Sequence, residues 1–401
     1  MQNLNVECVV VGAGPAGLTA AIALASAGVE TALVARCAPA HDYRTSALLH
    51  GSIRALVGLG VWERCASHAA PLRSIRIIDD TGHLWRAPEM EFFAGEIGFE
   101  AFGHNIENRF LLDALCARAR ELRSLIWIEH DAETIEIEDD RLSVRLIGGS
   151  LVRGRLAVGA DGKRSLCRAA AGIKTHYRAY AQTALTLNLR HSRPHHDTST
   201  EFHREHGPFT LVPLPGQRSS LVFVVEATEA PALAALSDVE MSQEVERRSH
   251  SILGKVEVEH GRGIFPLTVE TARQLGARRV VLVGEAAHVV PPIGAQGLNL
   301  GLRDAATIGE LVASAHRRGE DIGASELTER YDRVRRADIA SRTLAVDLLN
   351  RSLLSDFLPL QAARGLGLFL MKRFPPLRRA AMREGIMPMS LLPRLMRAEA
   401  L

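Results

Sequence analysis

The sequence predicts an α/β fold, a Rossmann-like dinucleotide-binding domain interrupted by a mostly β insertion and followed by C-terminal helices. Three observations carry this. A buried strand runs into a glycine-rich turn and an alanine-rich helix at the start, the middle is β-textured, and a second loop rich in glycine and proline again joins a strand to a helix. The 401 residues are 47% hydrophobic and 23% charged, with 33 Gly, which supplies a sizeable core and excludes wholesale disorder. Lys plus Arg total 48 against 46 Asp plus Glu, and a net charge of +2 gives no global field for nucleic acid. Five scattered cysteines with no CxxC pair argue against a disulfide framework or a cysteine-rich zinc site. No apolar run reaches about 18 residues and the opening hydrophobic segment lacks a basic leader, so a cytoplasmic location is expected.

Taken in order, Val6 to Val11 reads as a buried strand, GAGPAG as a tight turn and Leu18 to Ala27 as a helix. Gly12, Gly14 and Gly17 have the GxGxxG spacing. One glycine permits the turn, one the approach of a pyrophosphate, and one the tight contact of helix and strand, while the helix N-terminus offers free N–H groups to an anion. A second strand, Thr31 to Val34, ends at Ala35-Arg36, where such folds commonly carry an acid for the adenosine ribose. Arg36 can contact ribose or phosphate, or simply be solvated at the strand end, and it does not select NADP. Arg44-Thr45-Ser46 opens a helix-like segment through Leu59, in which Arg44 can reach a phosphate or a flavin edge. His104 to Arg120 reads as an amphipathic helix with Asn108 and Arg109 in its first turns. Alternating segments follow from Ile126 to Val158, with a hairpin at Gly148-Gly149, and the strand Leu156 to Val158 ends in GADG. There Asp161 and Gly162 can approach a dinucleotide or make a plain turn.

From about Ala181 to Phe265 short β runs surround a polar helix near Met241 to Ser251, as expected for an inserted sheet domain that creates a cleft. His191, His195, His196, His203 and His206 lie here without HExxH or persuasive acidic spacing, which favours a solvated loop over a metal site. Arg279 to Val283 is the next strand, followed by GEAAHVVPPIGAQGLNLGLRDAATIGEL, helical from Leu298 to Val312. Pro291 and Pro292 stiffen this loop, and Gly294 and Gly297 keep it open.

This last pattern resembles the second flavin-binding signature of the FAD-dependent aromatic hydroxylases. Together with RTSALL, HNIENR and GADGKRS in the same order, the chain looks like the ubiquinone-biosynthesis hydroxylase family over nearly its whole length. The resemblance implies bound FAD, reduction by NADH, NADPH or a protein electron donor, reaction with O2 to a C4a-hydroperoxyflavin, and hydroxylation of a polyprenylated phenolic ring. It places Gly12, Gly14 and Gly17 at the pyrophosphate, Arg44 at the flavin, and Asn108 or Arg109 at the cofactor contact of the middle helix. Glu285 stands where the family's usual contact is Asp, which shifts its reach. Pro291, Gly294, Gln296, Gly297, Leu298 and Asn299 are expected to line the flavin edge. Asp304 belongs to the same signature and is read as holding loop and helix together. Histidine as a residue type suits proton transfer near neutral pH, while the place of His288 in AAH fits support of the loop. No catalytic side chain is assigned. Phe202, Phe209, Phe223 and Phe265 are candidate substrate walls as well as ordinary core.

The division expected from these readings is a cofactor domain in three parts, 1–70, 104–180 and 269–335, with substrate-domain segments at 71–103 and 181–268 and a helical region at 336–401. Residues 361–401 carry 8 Lys or Arg and 2 Asp or Glu, a local charge of +6. Interleaved apolar and basic residues there fit peripheral attachment to an anionic inner membrane, packing against the enzyme, or joining a biosynthetic complex. Two other functions fit parts of the pattern. A flavin oxidoreductase or dehydrogenase without oxygen insertion needs only GxGxxG and GADG, and a noncatalytic assembly subunit needs only bound FAD.

Overall fold

The structure, a computed structural model, describes residues 3–36, 42–82, 88–292, 294–354, 367, 369–371, 373–386 and 392–401. Its first layer is a six-stranded sheet in the order Gly276–Ala277, Val280–Leu282, Leu156–Gly159, Cys8–Val11, Thr31–Val34 and Leu125–Ile128. All pairs are parallel except the first, and the central strands are apolar throughout because helices cover the sheet. The helices Pro15–Ser26 and Gln296–Arg317 contribute Leu18, Ile22, Leu300, Ile308 and Val312 to one continuous core with these strands.

The second layer is an eight-stranded sheet built mainly from Thr175–His191, Thr198–Arg204, Gly207–Leu214, Arg218–Glu226 and Val256–Ala272. Its strands alternate. One face sends Leu185, Leu187, Phe202, Phe209, Leu221 and Phe223 into a separate core covered by the helix Asp238–Arg248, and the other face is turned to the cofactor side. The histidines of this region are engaged locally: His191 with Arg193 O and Ser219, His195 with Leu214 O, His203 with Glu201 and His206 with Glu226.

Two expected helices are shorter than read. Thr45–Leu49 and Gly103–Glu107 are antiparallel strands of a small three-stranded sheet, and the helices begin only at His50 and Asn108. Tertiary pairing overrides helical periodicity at these two starts, and each strand-to-helix junction falls beside the site. The loop helix begins at Gln296 rather than Leu298. Helix Ser325–Leu354 continues the cofactor side, and the described end of the chain adds Pro375–Ile386. Residues 355–366, part of the expected C-terminal helical region, lie outside the described residues. No described helix is long and apolar enough to cross a membrane.

Candidate active site

The glycine turn has the steric signature of a dinucleotide cradle. Gly12 has φ +108°, and a Cβ there would stand 2.3 Å from Ala160 O; a Cβ at Gly17 would stand 2.0 Å from Gly12 O. Only glycine fits at either position. Gly14 is different: no protein atom lies within 4 Å of where its Cβ would be. It is also the N-cap of Pro15–Ser26 and makes no side-chain cap bond, so the first-turn N–H groups face open space suited to a phosphate. At the neighbouring strand end Arg36 is exposed and pairs with Asp131 at 2.7 Å. Asp161 accepts from Ser165 Oγ at 2.5 Å and from Cys167 N at 3.1 Å, which fixes the GADG turn and caps the short helix Leu166–Ala170.

The structure separates Asn108 from Arg109. Asn108 Nδ2 donates to Asp42 at 3.1 Å while its Oδ1 accepts from Ser46 Oγ at 2.7 Å. Asp42 in turn takes two hydrogen bonds from the Arg44 guanidinium, at 2.8 and 2.7 Å. Burial would raise the Asp42 carboxyl, but Arg44 and Asn108 outweigh it and hold it below the usual carboxylate range. Arg44 lies 5.7 Å from the Phe265 ring centroid and feels the charge of Glu285, which borders the same cavity. Arg109 points elsewhere, to Glu107 at 3.1 Å and over the ring of Phe110. Asp42 escaped the sequence reading because nothing in its spacing marks it; its partners are Arg44 beside it and Asn108 far along the chain.

The long loop is held from beneath. Gln296 donates to Gly294 O at 2.9 Å, and Ala295 is left-handed at φ +55°, turning the chain into the helix whose first N–H groups face the loop. Asn299 holds the loop through its side chain. Its side chain is 2% exposed, accepts from Leu49 N and Ser52 Oγ, and donates to Ala47 O and Ala295 O. With all four bonds made inside the protein, this side chain pins the loop to the strand Thr45–Leu49. His288 is buried, outside the cavity lining, and bonded through Nε2 to Asp304 at 2.6 Å. Asp304 also accepts from Gly284 N and from Arg335 Nε, at 3.0 and 2.7 Å. Burial would raise this carboxyl, but His288 and Arg335 outweigh it and hold it at about 2. Arg335 continues to Asp338, which also pairs with Arg303, so a buried ionic chain supports the loop. Sequence reasoning missed Arg335 and Asp338, because charges three apart on a helix carry no mark of burial.

Between loop and large sheet lies a cavity of about 200 Å³, bordered by Arg44, Glu285 and Pro291 on one side and Thr186, Asn188, Ser220 and Phe265 on the other. Of the four phenylalanines considered as walls, Phe265 alone borders it; Phe202, Phe209 and Phe223 are at most 1% exposed in the second core. A larger cavity of about 600 Å³ includes Glu107, Arg109, Arg218 and Glu259, and no residue of the 285–299 loop borders it. Its charges are largely paired with one another: Arg218 bonds Glu259 at 2.7 and 2.6 Å and Glu107 at 3.2 Å.

A phosphate cradle, a loop ending on a helix N-terminus and a sheet-walled cavity beside them fit the scaffold of a flavin-dependent monooxygenase. Residues 5–345 match the FAD binding domain family model. The fold is that of p-nitrophenol 4-monooxygenase from Pseudomonas putida DLL-E4, at 18% identity and a TM-score of 0.78 over 96% of this chain and 98% of that one. In sequence the chain is 35% identical to ubiquinone hydroxylase UbiL of Rhodospirillum rubrum, covering 98% of this chain and 92% of the relative. It is 29% identical to 3-demethoxyubiquinol 3-hydroxylase of Escherichia coli, covering 96% and 100%. The chain belongs to the ubiquinone-biosynthesis hydroxylase family of FAD-dependent aromatic monooxygenases.

Proposed function

We propose that the protein hydroxylates the aromatic ring of a polyprenylated phenolic precursor of ubiquinone, using O2 and a reductant that is NADH, NADPH or a protein electron donor. The observation that carries this reading is the cavity between the flavin loop and the sheet face of Thr186, Asn188 and Ser220. The open space at Gly14, above a helix N-terminus with no side-chain cap, fits the pyrophosphate of FAD. Arg36 and Asp161 lie at the adjoining strand ends. We assign Arg44, Asn108 and Glu285 to the middle of the cofactor, and the backbone of Pro291, Gly294, Gln296, Gly297, Leu298 and Asn299 to its ring. Bound FAD supplies the redox and oxygen chemistry. The protein supplies position and dryness: Phe265, Leu267, Val290 and Pro291 are apolar walls that keep water from the ring. No side chain of the cavity is needed as a nucleophile, because the phenol itself is electron-rich.

Peripheral attachment to an anionic membrane is part of this reading. Helix Pro375–Ile386 docks through Met382 in a small core with Ala94, Ile97 and Phe102. Its outer side and approach leave Phe369, Phe374 and Leu377 at least 50% exposed beside exposed Arg373, Arg379 and Arg383. Apolar and basic groups presented together suit a lipid surface, where a long-tailed substrate resides. The function is tested by mass spectrometry of quinone precursors in cells with and without the protein. Accumulation of one ring precursor, restored to its hydroxylated product by the active chain, is expected; an unchanged precursor pool contradicts the assignment.

A further inference from the structure

We infer that Asn188 and Ser220 form a clamp for the phenolic hydroxyl of the substrate, an inference that rests on the hydroxylase reading above. The two residues face each other across neighbouring antiparallel strands, so their side chains stand on the same face of the large sheet. That face borders the cavity, while alternate residues of both strands fill the second core. Asn188 is 5% and Ser220 is 2% exposed, a place where polar groups need partners.

Their bonding is incomplete in a complementary way. Asn188 Nδ2 donates to Tyr43 O at 3.0 Å, and no described donor serves its Oδ1. Ser220 Oγ receives Thr45 Oγ1 at 2.9 Å and Asn105 Nδ2 at 3.1 Å. The two hydroxyls share one hydrogen bond but carry two protons, so one proton is left with no described acceptor. An acceptor and a donor therefore stand side by side at the cavity wall. A phenolic O–H completes both, giving its proton to Asn188 Oδ1 and accepting the one from Ser220 Oγ. A ring C–H satisfies neither, an ether oxygen only the donor, and a carboxylate would set negative oxygen against Asn188 Oδ1. Gly263 completes the pocket: a Cβ there would lie 2.4 Å from the Phe265 ring and 2.7 Å from Thr186 Oγ1, so its absence lets that ring close beside the clamp.

The test is equilibrium binding to the FAD-loaded protein, by calorimetry, of 2-prenylphenol and of prenylbenzene, which lacks the hydroxyl. The unaltered protein is expected to prefer the phenol by about tenfold or more, as for loss of hydrogen bonds to a buried site. Ser220→Ala and Asn188→Ala should each reduce that preference to within about threefold while leaving prenylbenzene affinity and FAD content unchanged, which also shows that the variants are folded. Equal binding of the two compounds by the unaltered protein overturns the clamp without needing any variant. A preference that persists in both variants overturns it while leaving the hydroxylase reading intact, and binding of neither compound overturns both.

Discussion

Gly14 and Gly17 are both glycines of one motif, yet they answer to different constraints. Gly17 is closed in by the backbone of Gly12, whereas Gly14 meets no protein atom. Gly14→Val is therefore expected to fold with near-native stability and to lose most of its FAD, while Gly17→Val should lower the melting temperature itself. Absorbance of retained flavin together with thermal denaturation separates the two, and full FAD retention in folded Gly14→Val contradicts the cradle. Asp304 makes a second prediction. Its carboxyl is held at about 2, below the 3.8 expected when unfolded, so its stabilisation is fully present above pH 4 and is lost as pH falls through 2. Asp304→Asn should cost about 3–5 kcal/mol near neutrality by breaking the buried pairing with Arg335 and the bond to His288. The gap to the unaltered protein should narrow by roughly 2 kcal/mol as acid removes the same charge. Denaturant titrations at several pH values check this; a constant gap contradicts it. Glycine spacing was legible in the sequence because it reports backbone geometry at nearby positions. Asp42, Arg335 and the clamp pair were not, because their meaning arises only when distant strands and helices bring partners to them.

At the scale of elements, the strand-turn-helix units at Cys8–Ser26 and Val280–Arg317 could be read directly, since apolar runs and breakers mark each part. The segments at 45–49 and 103–107 were read as helix because their local pattern runs on into true helices. They are strands because they pair with each other, and that pairing sets Ser46 beside Asn108 and brings Leu49 to Asn299. The Gln296–Arg317 helix shows the same limit: its motif marks the loop, but Asn299 serves as an internal pin. The end helix carries its own prediction. Replacing Arg373, Arg379 and Arg383 together by Glu should weaken binding to anionic vesicles by at least about tenfold at low salt, at about 1 kcal/mol per basic residue, with activity toward a water-soluble short-chain phenol retained. Cosedimentation measures this, and undiminished binding to anionic vesicles contradicts membrane contact by this helix.

In the whole molecule, two sheets divide the work. The parallel sheet presents its strand ends and helix N-termini to a dinucleotide, and the large sheet offers one face to its own core and the other to the cavity. Glu107, at the end of a cofactor-side strand, is 2% exposed and bonds Arg218 of the large sheet, which also grips Glu259. This charged seam ties the large sheet to the small three-stranded sheet that carries Glu107. The insertion and the order of the signatures were visible in the sequence, whereas the cavity walls were not, since strand alternation alone does not say which face meets the cofactor. Oxygen insertion into a phenolic ring is read out by turnover of 2-prenylphenol under 18O2 with purified FAD-loaded protein and a reductant. A ring-hydroxylated product carrying one 18O atom is expected. A product oxidised without gain of oxygen, or one whose added oxygen comes from water, would contradict it.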